Sequence, residues 1–263
     1  MREKRKNKNN NNIILLLSFL VIILSIFSIY YNLQIIFKKN KLENTNNLPS
    51  KIDFASQYFS NYSKVEFPLL AVDEYGNGVI TKLIVEVKNG SGKVLVNIEN
   101  LLFWIDTQNS IRIAKNLAEK ITKINTSNLD IIYTIEANAS IIGGPSAGSA
   151  ITIATIAALT QKEFKKDVVI TGTIDENGNI GRVGAIKEKC LAAKNQYNAK
   201  ICLVPRGQSI EYELIPKRDC TRIGNFEFCR ITFETKEIDI SKEIGMKVIE
   251  VHNIEDALKY FFS

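Results

Sequence analysis

Residues 143–150 read GGPSAGSA and set one hydroxyl, Ser146, among compact neighbours. Gly144, Pro145, Ser146, Ala147 and Gly148 make a G-x-S-x-G sequence, preceded by a strand pattern (LDIIYTIEA) and followed by an apolar run (SAITIATIAAL). That is the setting of a nucleophile elbow, in which a sharp turn presents the serine and amides at the start of a helix face a developing oxyanion. Gly143 and Gly144 permit backbone angles that other residues resist, and Pro145 suits the start of a helix. The same residues also make an ordinary Gly-Pro turn capped by serine. A serine hydroxyl is a weak nucleophile, so chemistry here requires a base from elsewhere in the chain.

Two bases are available. His252 is the only histidine, and with Asp175 between them the chain order is the Ser…Asp…His of α/β-hydrolases, which implies an esterase. Against this, His252 closes the strand pattern KVIEVH, and the chain after Ser146 holds few strand–helix units for such a fold. The second base is a lysine of AIKEKCLAAKNQY. At about 100° per residue, Ile186, Cys190, Ala193 and Tyr197 gather within about 60° of arc on this helix. Lys187 and Lys194 fall on the polar side and Glu188 points away, whereas Lys189 stands roughly 60° from Ile186, at the edge of the buried face. A desolvated ammonium loses its proton more readily, and a neutral lysine can accept the proton of a serine. A lysine at that edge can also lay its stem on apolar surface and keep its charge in water.

The remaining elements follow from periodicity. LLAVDEYGNGVITKLIVEVKNGSGKVLVNI reads as strands separated by glycine turns. DTQNSIRIAKNLAEKITKI reads as a helix, with Asp106 or Thr107 as cap and Ile111, Ala114, Leu117, Ala118, Ile121 and Ile124 as its apolar stripe. The helix that begins at or near Ser146 is apolar all round and should be buried. DVVITGTI and IGRVG are strands joined through an Asn177-Gly178 turn. KICLVP and MKVIEVH are strands, and NIEDALKYFF is a closing helix capped by Asn253. Strands and helices alternating in this way predict one α/β (α+β) domain over residues 60–263.

Charge is concentrated at the other end. Up to Lys41, eight basic residues face a single acid, a balance of +7, which leaves −1 for the remainder of a chain with net charge +6. The folded body therefore has no excess charge to attract nucleic acid. Between the basic flanks, residues 13–37 carry no charge and are long enough to span a bilayer; a cleaved signal peptide has a shorter apolar region and a small-x-small site. The expected organisation is a basic tail at 1–12, a single transmembrane helix at 13–37, a polar linker at 38–59 and the domain. Five basic residues precede the apolar segment and three closely follow it, which points the N-terminus to the cytoplasm and the domain outside. Cys220 and Cys229 bracket CTRIGNFEFC as in a disulfide-closed hairpin of an oxidising space, and sequons at Asn61, Asn89, Asn125 and Asn138 would be usable there. Cys190 and Cys202 fall in helix and strand patterns as core residues. No Cys/His grouping has metal-ligand spacing, so no metal or cofactor is expected.

Three motifs taken together resemble the proteolytic domain of the Lon peptidase family. GGPSAG, VVITG and GRVGAIKEKCLAA occur in that family's order, with 43 residues from Ser146 to Lys189. The helix DTQNSIRIAKNLA is similar to the one before the catalytic strand of archaeal Lon-like proteins. The resemblance covers about residues 65–263. It implies a Ser146–Lys189 dyad, Thr171 as a hydrogen-bond partner of the lysine, protein or peptide substrates and a homo-oligomer. It departs from the family in three places. GSGKV has the wrong glycine spacing for a phosphate loop, so no ATPase module is read here. Gly143 stands where bacterial Lon has an acid, and Thr173 where an acid often follows Thr-Gly. The expectation is an ATP-independent, membrane-anchored serine endopeptidase acting on unfolded or extended segments. Its rivals are the His252 esterase and a non-catalytic membrane-tethered binding module. The insert GQSIEYELIPKRDCTRIGNFEFCR is longer than in typical Lon and reads as a substrate or partner surface, or as a decorated hairpin.

Overall fold

The structure, a computed structural model, describes residues 61–97, 102–103, 105–137, 141–142 and 144–262. The expected tail, transmembrane helix and linker lie outside the described residues, as do Asn138 and Gly143. Among the described residues no helix is long and apolar enough to cross a membrane.

Strands β1 (Tyr62–Val72), β2 (Gly78–Asn89), β3 (Val94–Val96) and β5 (Leu129–Glu136) form a sheet in the order β1-β2-β5-β3. Its pairs are antiparallel except β3 with β5. Two short strands, β4 (Leu102–Phe103) and β6 (Ile141–Ile142), pair in parallel. In β5 the alternation is strict: Leu129, Ile131, Tyr133 and Ile135 are buried, and the residues between them are not. Helices α1 (Ile105–Thr122) and α2 (Gly148–Thr160) contribute Ile111, Ala114, Leu117, Ile151, Ile153 and Ala154 to the core that this buried row of β5 joins.

All 13 residues of α2 are buried, as its unbroken apolar pattern predicts. Its threonines satisfy themselves: Thr152, Thr155 and Thr160 donate to the carbonyls of Gly148, Ile151 and Ile156 at 2.7–2.8 Å. The Tyr133 hydroxyl lies 2.9 Å from that of Thr155, and burial pushes the phenol's pKa up.

A second sheet is parallel, in the order β13-β10-β7, made from β7 (Val168–Ile170), β10 (Ile201–Pro205) and β13 (Lys247–Val251). Covered on both faces, it separates two cores. Val168, Ile170, Leu203 and Val251 face the first core; Val169, Cys202 and Val204 face a second, built on Ile186, Cys190 and Ala193 of α3 (Ile186–Tyr197). The hairpin β8 (Thr173–Ile174)–β9 (Ile180–Gly181) turns at Asn177-Gly178 as the sequence predicts, with Gly178 at φ 83°. A long ribbon, β11 (Ile210–Ile223) with β12 (Phe226–Asp239), leaves the domain before α4 (Ile240–Ile244). The chain ends in α5 (Ile254–Phe261), where the Asn253 side chain caps by accepting from the Asp256 amide at 2.9 Å.

Four expectations change. Helix α1 begins at Ile105, so Asp106 and Thr107 lie inside its first turn rather than capping it. DVVITGTI is two strands, not one: the Thr171 amide still bonds the Leu203 carbonyl of β10, but the Gly172 amide turns to the Ser146 carbonyl. Cys190 and Cys202 are core residues but not separate thiols: they form a disulfide that ties α3 to β10. Ser146 does not cap α2, because no side-chain cap bond is made there; Pro145–Ala147 form a 3-10 turn ahead of the helix.

Candidate active site

Ser146 sits in the 3-10 turn Pro145–Ala147, partly exposed. The turn requires Gly144, which adopts φ 93°, in the left-handed half of the map where a side chain is strained. Pro145 occupies the first turn position, where its missing N–H costs nothing. Three elements then hold the turn. Thr107 of α1 donates to the Gly144 carbonyl at 3.4 Å. The Gly172 amide donates to the Ser146 carbonyl at 3.0 Å, and the Thr171 hydroxyl donates to the same oxygen at 3.4 Å. One turn later, the Ser149 amide and hydroxyl both donate to the Gly172 carbonyl at 3.0 Å. The backbone of Ser146 is thus fixed to the end of β7, while its hydroxyl has no hydrogen-bond partner among the described residues.

Gly148 opens α2 against Ile174, whose side chain lies 2.7 Å from where a Cβ would stand. A glycine is needed there for the helix to approach β8. The Gly148 amide bonds the Pro145 carbonyl, and the Ser149 amide is taken by Gly172.

Lys189 lies one turn into α3 and is 4% exposed. Its neighbours on the buried face are Ile186, Cys190 and Ala193; Lys187, on the polar side, pairs with Glu243 at 2.7 Å. Among the described residues Lys189 has no ion pair and no side-chain hydrogen bond. Burial alone pushes its pKa below the ordinary lysine value. Helix α3 packs on the Val169 face of β7, and Thr171 continues the same side of the chain two residues on. The Ser146 turn is therefore held by Thr171 and Gly172, while Ile186 and Cys190, which flank Lys189 in sequence, share a core with Val169. Thr171 spends its hydroxyl on the Ser146 carbonyl.

Helix α3 is itself positioned by groups that sequence reasoning missed. Gln208 accepts from the Val183 amide at 2.9 Å and donates to its carbonyl at 2.7 Å, pinning the segment before the helix. Gln196 bonds the Ile80 amide and the Gly78 carbonyl of β2. At Gly78, an added Cβ would fall on the Glu188 carbonyl oxygen, so β2 touches the helix backbone immediately before Lys189. Thr107, Ser149 and Gly78 carry no local sequence signal for these roles, because each acts across more than 20 residues. The Cys190–Cys202 pair was visible as residues but not as a bond.

The rival triad is not assembled. His252 is exposed at the end of β13. The Asp175 carboxylate is used inside its own hairpin by the Asn177 amide and by the Asn179 amide and side chain, at 2.8–2.9 Å. For a metal, the ligand atoms of Cys220, Glu227 and Cys229 lie within 4.8 Å of one another, but both sulfurs are oxidised in a disulfide and offer no thiolate.

Together, the mixed α/β fold, a serine raised on a glycine-proline turn and a lysine kept from water describe a domain of the serine hydrolase class. Sequence comparison gives the family. The Lon protease (S16) C-terminal proteolytic domain matches residues 78–229, more than half of the chain, and the chain belongs to that family. The chain is 29% identical over 177 residues to the archaeal Lon protease of Methanocaldococcus jannaschii, covering 60% of this chain and 26% of that protein. It is 42% identical over 74 residues to the Lon protease of Trichlorobacter lovleyi, covering 28% and 9%. With the Lon protease of Dictyoglomus thermophilum it shares 30% over 148 residues, covering 56% and 17%. The chain thus spans about a quarter or less of the length of these relatives.

Proposed function

We infer that the chain is a serine endopeptidase that cleaves peptide bonds in unfolded or extended protein segments with a Ser146–Lys189 dyad. In this reading neutral Lys189 takes the Ser146 hydroxyl proton as Oγ attacks the peptide carbonyl. The tetrahedral intermediate collapses to an ester on Ser146, and the proton passes from Nζ to the leaving amine. Water then gives a proton to Lys189 as its oxygen attacks the ester carbonyl; the C–Oγ bond breaks, the second product leaves as an acid, and Lys189 returns the proton to Ser146 Oγ. Since the Gly148 and Ser149 amides are already bonded and the 3-10 turn engages that of Ala147, we assign the oxyanion to the Ser146 amide. The observation that carries the reading is Lys189: a lysine 4% exposed, without a counter-ion, its proton affinity lowered by burial. Residues 13–37 anchor the protein, with the domain on the extracytoplasmic side. The two disulfides support an oxidising compartment. Activity needs no ATP and no metal, and the working form is a homo-oligomer.

The test uses the full chain in nonionic detergent, without nucleotide. Casein should be hydrolysed, and a serine-reactive phosphonate should label Ser146. Ser146→Ala should lower the rate on the order of 10³-fold or more, and Lys189→Ala should cost about 10²–10⁴-fold. His252→Ala should be mild. If His252→Ala abolishes turnover while Lys189→Ala does not, the esterase reading replaces this one. If neither hydrolysis nor labelling occurs, the domain is a binding module.

A further inference from the structure

Among the described residues, two elements hold eight of the fifteen large apolar side chains that the fold leaves exposed. Strands β11 and β12 pair along their full length as an isolated antiparallel ribbon of 14 residues each, roughly 45 Å long. Among the described residues no third strand joins it. A two-stranded ribbon without a covered apolar face is marginal in water.

The register sorts its side chains. Directly opposed residues share a face, so one face carries the pairs Tyr212–Glu237, Leu214–Thr235, Pro216–Phe233 and Arg218–Ile231, then the Cys220–Cys229 disulfide. The opposite face of the shaft is charged, with Lys217 and Glu234 paired at 2.8 Å. On the first face Tyr212, Leu214, Ile231 and Phe233 are 61–66% exposed. Together they leave on the order of 500 Å² of apolar surface uncovered, more than scattered surface residues explain.

We propose that this face is an interface with a second copy of the chain, two ribbons packing face to face and antiparallel about a two-fold axis. The proposal deepens the homo-oligomer of the preceding section by naming a surface, and it is independent of the dyad. Two features select a second copy. First, the area closes: two such faces bury about 1,000 Å², the threshold of a specific interface. Second, the face is complementary to itself. Its acid, Glu237, lies towards the base, and its cation, Arg218, lies towards the tip. Place the axis midway between the Leu214–Thr235 and Pro216–Phe233 pairs. Tyr212 then faces Arg218 and Glu237 faces Ile231 of the other copy, with Glu237 and Arg218 at one level and within diagonal reach, while Leu214 covers Pro216 and Thr235 covers Phe233. An isologous contact needs this self-matching. The charged faces remain in water, and the disulfide near the tip locks the register that sets the match.

The test is photo-cross-linking of the full chain in nonionic detergent, with p-benzoylphenylalanine in place of Phe233. The expected product has twice the chain mass, with the attachment mapping to Thr235, its β12 neighbours or Leu214 of the second copy. In sedimentation equilibrium, Leu214→Glu combined with Phe233→Glu should weaken self-association at least tenfold. Glu237→Arg or Arg218→Glu alone should weaken it, and the two together should restore it. Cross-links to lipid, to added casein or to another region of the second copy would overturn the proposal. So would association unchanged by the paired glutamates, or charge reversals that fail to restore each other. Casein hydrolysis is scored separately, so loss of the interface and failure of the dyad give different patterns.

Discussion

If Lys189 is the base of the proposed dyad, stability and reactivity pull in opposite directions at this residue. In the unfolded chain it binds a proton at the ordinary lysine value, 10.5, and in the fold burial lowers that value. Between the two, the unfolded state holds more protons, so stability falls as pH falls through that window. Below the folded pKa the penalty is complete and constant. Lys189→Met keeps the length of the side chain and removes the charge. It should therefore raise the melting temperature at neutral pH, with the gain shrinking as pH approaches 10.5; thermal denaturation of both proteins across that range checks it, and a Met variant less stable at pH 7 would refute it. In the proposed dyad the same shift would govern catalysis. The base must be neutral, so kcat/KM should rise with pH through an apparent pKa below the ordinary lysine range, with the acid limb set by Lys189. Thr171→Val adds a local test. Its hydroxyl holds the Ser146 carbonyl rather than Nζ, so its loss should lower kcat severalfold and leave the apparent pKa where it was.

At the scale of elements, the site depends on how α3 is held. Gly78 of β2 lies against the Glu188 carbonyl, and a methyl group there forces strand and helix apart just before Lys189. Gly78→Ala should cost about 1–3 kcal/mol of stability and lower kcat/KM, although the residue touches no substrate. The Cys190–Cys202 bond, 12 residues apart in sequence, ties the same helix to β10, and loop closure of that size contributes about 3 kcal/mol. Replacing both cysteines by alanine should lower the melting temperature by several degrees, read by calorimetry against the wild-type protein. These supports mark the boundary of what sequence could tell. The buried α2, the Asn253 cap, the Asn177-Gly178 turn and the inward side of Lys189 are periodic or local signals, and they were legible. The Cys220–Cys229 pairing was suggested by the turn between the two cysteines but not decided by it; the structure forms the bond. The split of DVVITGTI at Thr171 was not legible, since it arises when Gly172 leaves the ladder for a carbonyl 26 residues earlier. Gly78, Gln208 and Thr107 stayed silent for the same reason: what each one touches is set by packing, not by spacing.

For the whole molecule, the distribution of charge separates two ways in which the proposed membrane attachment could be made. The net +6 of the chain is not spread over it: the residues up to Lys41 carry +7, and everything after them carries −1. The folded domain therefore has no electrostatic hold on an anionic surface. The flanks alone have one, and attraction of that kind weakens as salt shortens the screening length to about 3 Å at 1 M. Residues 13–37, uncharged throughout, add an attraction that salt does not weaken, because burial of apolar surface is not screened. The two contributions separate in a wash experiment on membranes from cells making the full chain. If the apolar segment spans the bilayer, the protein should stay with the membrane through 1 M salt and alkaline carbonate, and detergent alone should release it. Release by salt would mean that the basic flanks hold the protein at the surface and that residues 13–37 do not insert. A chain lacking residues 1–51 should be free of the membrane in every wash, because its remaining charge gives it no reason to bind.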